Sequence, residues 1–208
     1  MKSFSEKIYL NLKMPSEDLP ISDEKRIRLA LETLGYQNIS IPLSTLQQIY
    51  PLCRNANFDI TVTLVHRKVD SVLVKVEAGD TSTFHYGLAV DYGSTTIVMQ
   101  LIDLNSQKLI DQVKLVNGQT IYGTDILSRI TYAMENPTHM EELQKVTVET
   151  FHSLFKKLKE RTGIDASSCP VMILSGNTTM IHFLLKLDAW TVFASPYSPV
   201  TTDPGFFF

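Results

Sequence analysis

Cysteine is scarce in this chain. Cys53 and Cys169 are the only thiols in 208 residues, and they lie far apart in different predicted elements. That spacing excludes a disulfide framework and makes a reducing cytoplasm the expected compartment. It also excludes an iron–sulfur cluster held by this chain alone, since such clusters take four cysteine ligands. The five histidines, at 66, 85, 139, 152 and 182, show no HxxxH spacing, and there is no CxxC, so no zinc site is expected. Positive charge is not in excess. Nineteen Lys and Arg stand against 22 Asp and Glu, a net charge of -3, which leaves no electrostatic footprint for nucleic acid. No apolar run approaches the span of a bilayer and the N-terminus lacks a signal-peptide pattern, so no membrane association is expected. No GxxxxGK[ST] occurs, which excludes a Walker P-loop. Hydrophobic and charged contents of 44% and 20% are ordinary for a globular chain. The length allows one large domain or two small ones.

What is present centres on Gly87-Leu-Ala-Val-Asp-Tyr-Gly-Ser-Thr-Thr-Ile-Val-Met-Gln-Leu-Ile-Asp-Leu104. It reads as a strand, a tight polar turn and a second strand. Apolar runs broken at both ends by polar turns predict strands buried on both faces. Gly93 lets the backbone come close to a ligand. The consecutive N–H groups and hydroxyls of Gly93, Ser94, Thr95 and Thr96 can cradle phosphate oxygens. Asp91, at the strand end, can hold the accompanying Mg²⁺ through its waters. The competing reading is a plain hairpin whose turn happens to be Asp-Tyr-Gly-Ser.

Three further blocks follow: YGTDILSRI at 122–130, GNTTMIH at 176–182 and ASPYSPV at 194–200. Together with GLAVDYGSTT they resemble the ASKHA domain of the reductive activators of corrinoid proteins (RACo), which restore an oxidised cobalamin centre to Co(I) at the expense of ATP. The family pattern has Thr where Ser94 stands and an aliphatic residue where Tyr92 stands. Ser94 keeps the hydroxyl, and Tyr92 is expected to point away from the turn. Full-length members carry a ferredoxin-type domain with a 2Fe–2S cluster, which this chain cannot build by itself.

The expected fold class is α/β: a small α+β module followed by one ribonuclease-H-like (ASKHA) lobe. Residues 1–21 read as a strand and linker, 22–80 as the α+β module, and 86–208 as the first lobe of an incomplete ASKHA domain. In the module, Ser22 and Asp23 cap a helix that Gly35 stops. Ile39, Ile41 and Leu43 alternate as a strand that Pro42 assigns to an edge. A second helix from about Ser44 is interrupted at Pro51. Residues 59–76 form a hairpin with a charged turn at 66–70. In the lobe, Lys108 to Val116 is a third strand, Thr124 or Asp125 caps a helix, and Thr138 with Glu141 forms a capping box for the next. Val171 to Leu174 is a short buried strand, and Asn177 to Leu187 a largely apolar helix.

Gly176, Asn177 and Thr178 sit between that strand and helix. The turn is expected at the same sheet edge as Asp91, where helix N-termini attract anions. The alternative is that Asn177 only caps the helix. The resemblance implies that Asn177 and Thr178 also face the nucleotide cleft. Asp125 and Arg129 are one helical turn apart. They form either an intrahelical ion pair or a site where Asp125, the catalytic candidate, orients Mg²⁺ or a water. His182 reads as a packed core histidine. Phe206 to Phe208 are aromatics that need covering.

The resemblance implies a fragment or shortened homologue of an ATP-dependent reductive activator. It would contribute the first phosphate turn of a two-lobed ATP site, with ATP and Mg²⁺ as cofactors and a corrinoid protein as partner. The second lobe would follow Phe208, so this chain alone is expected to be inactive. Self-association or a homodimer is expected through the uncovered interlobe face, the Phe206–Phe208 tail or the strand edge of the hairpin. The alternatives are a non-catalytic dimerisation or partner-binding scaffold, and half of a sugar or carboxylate kinase-like ATPase.

Overall fold

The structure is a computed structural model and describes residues 4–205. Phe206 to Phe208 lie outside the described residues. The chain divides into two units: one runs through Tyr86 and includes Asp103–Gln107, and the other holds Gly87–Ile102 and everything from Lys108.

The first unit is a four-stranded sheet with two helices. β1 (Ser5–Asn11), β2 (Ile39–Ser40), β3 (Asp59–His66) and β4 (Ser71–Ala78) are ordered β1-β3-β4-β2. β1 pairs antiparallel with β3 along its whole length, from Ser5 opposite Val65 to Asn11 opposite Asp59. β3 is therefore central, and Ile60, Val62 and Leu64 are fully buried. α1 (Asp23–Thr33) and α2 (Leu43–Asn55) bring Ile27, Leu31, Ile49 and Cys53 onto this core. Each such apolar side chain stabilises the fold by about 1.5–3 kcal/mol. Burial also pushes the Cys53 thiol up to about 11.

Ser22 caps α1, its hydroxyl accepting the Lys25 N–H at 3.1 Å. α2 does not break at Pro51 but continues to Asn55. Pro51 and Gln47 are both exposed, so the carbonyl deprived of its donor faces water. The strand at Ile39 is only two residues long and lies at the sheet edge, parallel to β4. The hairpin offers less open edge than its sequence suggested. β1 covers β3, and the Thr45 hydroxyl of α2 donates to the Val74 carbonyl at 3.1 Å.

The second unit is the ribonuclease-H-like lobe. Its strands are β5 (Tyr86–Tyr92), β6 (Thr96–Asp103), β7 (Lys108–Val116) and β8 (Val171–Gly176), ordered β7-β6-β5-β8. β5 and β6 are neighbours joined by three residues, a link short enough only for an antiparallel hairpin. α3 (Ile126–Glu135), α4 (Pro137–Thr162) and α5 (Thr178–Leu185) complete it. α4 buries Leu143, Phe151, Leu154 and Leu158. Asn136, not Thr138, is its N-cap, accepting the Thr138 N–H at 3.0 Å with Pro137 in the first turn. Gly163 closes it in the left-handed region at φ 75°.

The strands here are not buried on both faces. Leu88, Val90 and Tyr92 of β5 and Ile97, Met99 and Leu101 of β6 are buried, while Ala89, Asp91, Val98, Gln100 and Ile102 are partly or fully exposed. β8 is more open still. It stands at the sheet edge among the described residues, with Met172 44% and Ile173 53% exposed. An apolar run of this length does not say whether a strand is central or peripheral.

Candidate functional site

β5 and β8 run parallel and in register, from Gly87 opposite Val171 to Tyr92 opposite Gly176. They therefore leave the sheet side by side. This brings Asp91, the Gly93–Thr96 turn and the Gly176–Thr178 segment to one end of the sheet. Asp91 pairs with Ser175 and is exposed, while the next residue, Tyr92, points to the opposite face and is fully buried. Asn177 caps α5, its side-chain oxygen accepting the Met180 N–H at 3.0 Å. The positive end of the α5 dipole thus lies at this sheet end. Thr178 is half-buried, and its carbonyl accepts from His182 Nδ1 at 2.7 Å. His182 itself is fully buried.

The turn is tight. A Cβ at Gly93 would stand 2.5 Å from the Thr96 carbonyl oxygen, so no side chain fits there. Asn117, directly after β7, holds the turn from behind. Its side-chain amide donates to the Gly93 carbonyl at 2.9 Å, and its backbone N–H donates to the Thr95 carbonyl at 2.8 Å.

Beneath the turn is a buried polar network that sequence reasoning missed. Gln119 is fully buried, and its Nε2 lies 3.0 Å from the Tyr92 hydroxyl, 3.1 Å from the Leu143 carbonyl and 2.8 Å from Thr147 Oγ1. Burial pushes the Tyr92 phenol up to about 12. The signal is present in the sequence as the polar Asn117-Gly-Gln119 run between a strand and the YGTD block.

The YGTD block is placed by aromatic stacking. Tyr122 stacks on Tyr132 of α3 at 4.7 Å between centroids, and Tyr132 on His139 of α4 at 3.9 Å. Asp125 caps α3, with the Ser128 N–H donating to its carboxylate at 2.8 Å. That backbone hydrogen bond holds the Asp125 carboxyl below its ordinary range. Asp125 and Arg129 do not form the ion pair that their spacing suggested. Arg129 turns inward instead and is fully buried, with Nε donating to the Gly123 carbonyl at 2.8 Å and Nη1 3.8 Å from the Met180 sulfur. Its Nη2 is buried with no hydrogen-bond partner. Loss of hydration lowers its affinity for the proton.

Chemically, this sheet end offers backbone N–H groups, hydroxyls, a helix N-terminus and one exposed carboxylate. Among the described residues, no three His, Cys, Asp or Glu gather as a metal cage would require. A single carboxylate at a strand end fits a hard cation that keeps waters and phosphate oxygens as its other ligands.

Residues 86–207 match the family model for the RACo middle region, and residues 1–83 match that for the RACo linker region. The chain belongs to the RACo family, the reductive activators of corrinoid proteins. The corrinoid activation enzyme RamQ of Eubacterium limosum is 31% identical over 112 residues, covering 54% of this chain and 19% of that protein. The solved reductive activator for corrinoid, iron–sulfur protein superposes with a TM-score of 0.82 at 30% identity, over 96% of this chain and 32% of that one. This chain therefore spans a minor part of either relative's length.

Proposed function

We propose that this chain supplies the first phosphate-binding turn of a two-lobed ATP site in a reductive activator of a corrinoid protein. In this reading Gly93, Ser94, Thr95 and Thr96 surround phosphate oxygens. Gly176, Asn177 and Thr178 approach the same phosphates from the α5 terminus. Asp91 holds Mg²⁺ through water and phosphate ligands, and Asp125 is the carboxylate that orients water. The observation that carries the reading is the parallel register of β5 and β8, which turns both segments off the sheet side by side. The partner is a corrinoid protein, as the names of the two relatives suggest.

The test is a titration of the ¹⁵N-labelled chain with Mg·ATP. Resonances of Gly93 to Thr96 and of Asn177 and Thr178 are expected to move together. Shifts confined to other parts of the molecule would remove the reading. The corrinoid part is tested separately, by sedimentation of the chain with a purified corrinoid protein in its oxidised state. Co-sedimentation is expected, and independent sedimentation counts against that partner.

A further inference from the structure

We propose that Asn117 is the positioning residue of the phosphate turn, and that it sets which face of the turn's peptide groups an anion meets. The inference rests on the phosphate reading of Gly93–Thr96 given above. Asn117 is fully buried. Its amide nitrogen takes the Gly93 carbonyl at 2.9 Å, and its backbone N–H takes the Thr95 carbonyl at 2.8 Å. Among the described residues the only cis peptide is Ser195–Pro196, so both peptides of the turn are trans. In a trans peptide the carbonyl and the following N–H point in opposite directions. Drawing the Gly93 and Thr95 carbonyls towards Asn117 therefore sends the Ser94 and Thr96 N–H groups the other way.

A rotation of either peptide would reverse that polarity and present a carbonyl to the anion. Asn117 thus controls the sign of the field at the turn as well as its shape. The orientation of the Asn117 amide is itself determined. Its oxygen accepts the Gln119 N–H at 2.9 Å, which leaves only the nitrogen for Gly93. Gln119 is anchored in turn by Tyr92, Leu143 and Thr147. Nothing in this chain of contacts requires Asn117 to touch the ligand.

The experiment compares the full chain with Asn117→Asp. Aspartate keeps the acceptor for Gln119 and removes the donor to Gly93. Inorganic tripolyphosphate and Mg·ATP serve as probes, read on backbone amide resonances. In the wild type, Ser94 and Thr96 are expected to move. In Asn117→Asp, tripolyphosphate is expected to bind at least about tenfold more weakly, from the lost hydrogen bond together with the carboxylate charge brought near the anion, while the amides of Thr147 and Arg129 keep their positions. Equal affinity in the variant overturns the proposal and leaves the phosphate reading standing. Absence of shifts in the wild type with both probes removes the phosphate reading and this inference with it. If Asn117→Asp fails to fold, the wild type still decides. The scalar coupling across the Asn117 N–H to Thr95 carbonyl bond should survive saturation with tripolyphosphate, and its loss overturns the proposal.

Discussion

Asp91 and Ser175 face each other across the parallel pair β5–β8, one residue before both strands reach their last ladder position. One is the exposed carboxylate proposed for Mg²⁺. The other precedes the Gly176–Thr178 segment proposed to share its phosphates. Strand register sets the spacing between the two halves of the site, so flexible side chains do not have to.

Removing the carboxylate separates the metal from the anion. Asp91→Asn is expected to abolish the strengthening of ATP binding by Mg²⁺ without weakening metal-free binding, since it removes a like charge from beside the phosphates. Even the wild-type chain should bind Mg·ATP weakly, since the proposed site comprises only the first phosphate turn of a two-lobed one. Calorimetry with and without EDTA checks both statements. A submicromolar dissociation constant for the wild type would contradict the half-site reading.

Gly93→Ala forces a methyl group to within 2.5 Å of the Thr96 carbonyl oxygen. The turn must open, at an expected loss of about 1–3 kcal/mol in stability. Urea denaturation measures it. An unchanged midpoint would show that the turn is not as tight as described.

The Gln119 network distinguishes two substitutions. Tyr92→Phe removes one hydroxyl but leaves Gln119 its contacts to Leu143 and Thr147, so about 0.5–1.5 kcal/mol is expected. Gln119→Leu removes the contacts to Tyr92, Leu143, Thr147 and Arg129 together and should lose about 1–3 kcal/mol. Reversal of this order in denaturant midpoints would mean that Gln119 is not the hub.

Acid should weaken the α3 cap. Asp125 titrates lower when folded than unfolded, so its contribution is complete above the unfolded value, about 3.9, and is lost as the pH falls through the lower folded value. Asn is also a good N-cap but does not titrate there. Melting temperatures of wild type and Asp125→Asn should therefore keep a constant gap near neutrality, and the wild type should lose ground to the variant in acid. A gap independent of pH would remove the carboxylate from the cap.

We expect the chain to self-associate at micromolar concentration through the open edge of β8, where Met172 and Ile173 are exposed. Ile173→Lys should shift light scattering towards monomer, since an edge lysine opposes strand pairing. If the wild type is already a clean monomer, the edge is not used in solution.

Much of the fold could be read from local chemistry. Ser22 announced a helix start, the alternation of Ile60, Val62 and Leu64 announced a strand, and the β5–turn–β6 stretch carried its own boundaries. Two of the failures, at β8 and Arg129, share a cause, because each depended on a neighbour distant in sequence. Pro51 sits in α2 where it and Gln47 are both exposed, a local feature that periodicity does not show. β8 has the composition of a central strand but, among the described residues, an edge position. Arg129 has the spacing of a surface ion pair, yet tertiary packing turns it inward. Of the candidate site, Asp91, Gly93 and Asn177 were legible because their motifs are contiguous. Asn117 and Gln119 were not, since their role exists only where β7 ends behind the turn.

Arg129 carries a consequence for temperature. A sealed guanidinium whose Nη2 has no hydrogen-bond partner loses hydration that is most favourable in the cold, so its burial is hardest to sustain there. The apolar burial of Ile130 on α3 and of Met180 and Phe183 on α5 also stabilises less on cooling. Both trends have the same sign. Near freezing, this corner of the lobe should exchange its amide protons faster relative to the rest of the sheet than it does at room temperature.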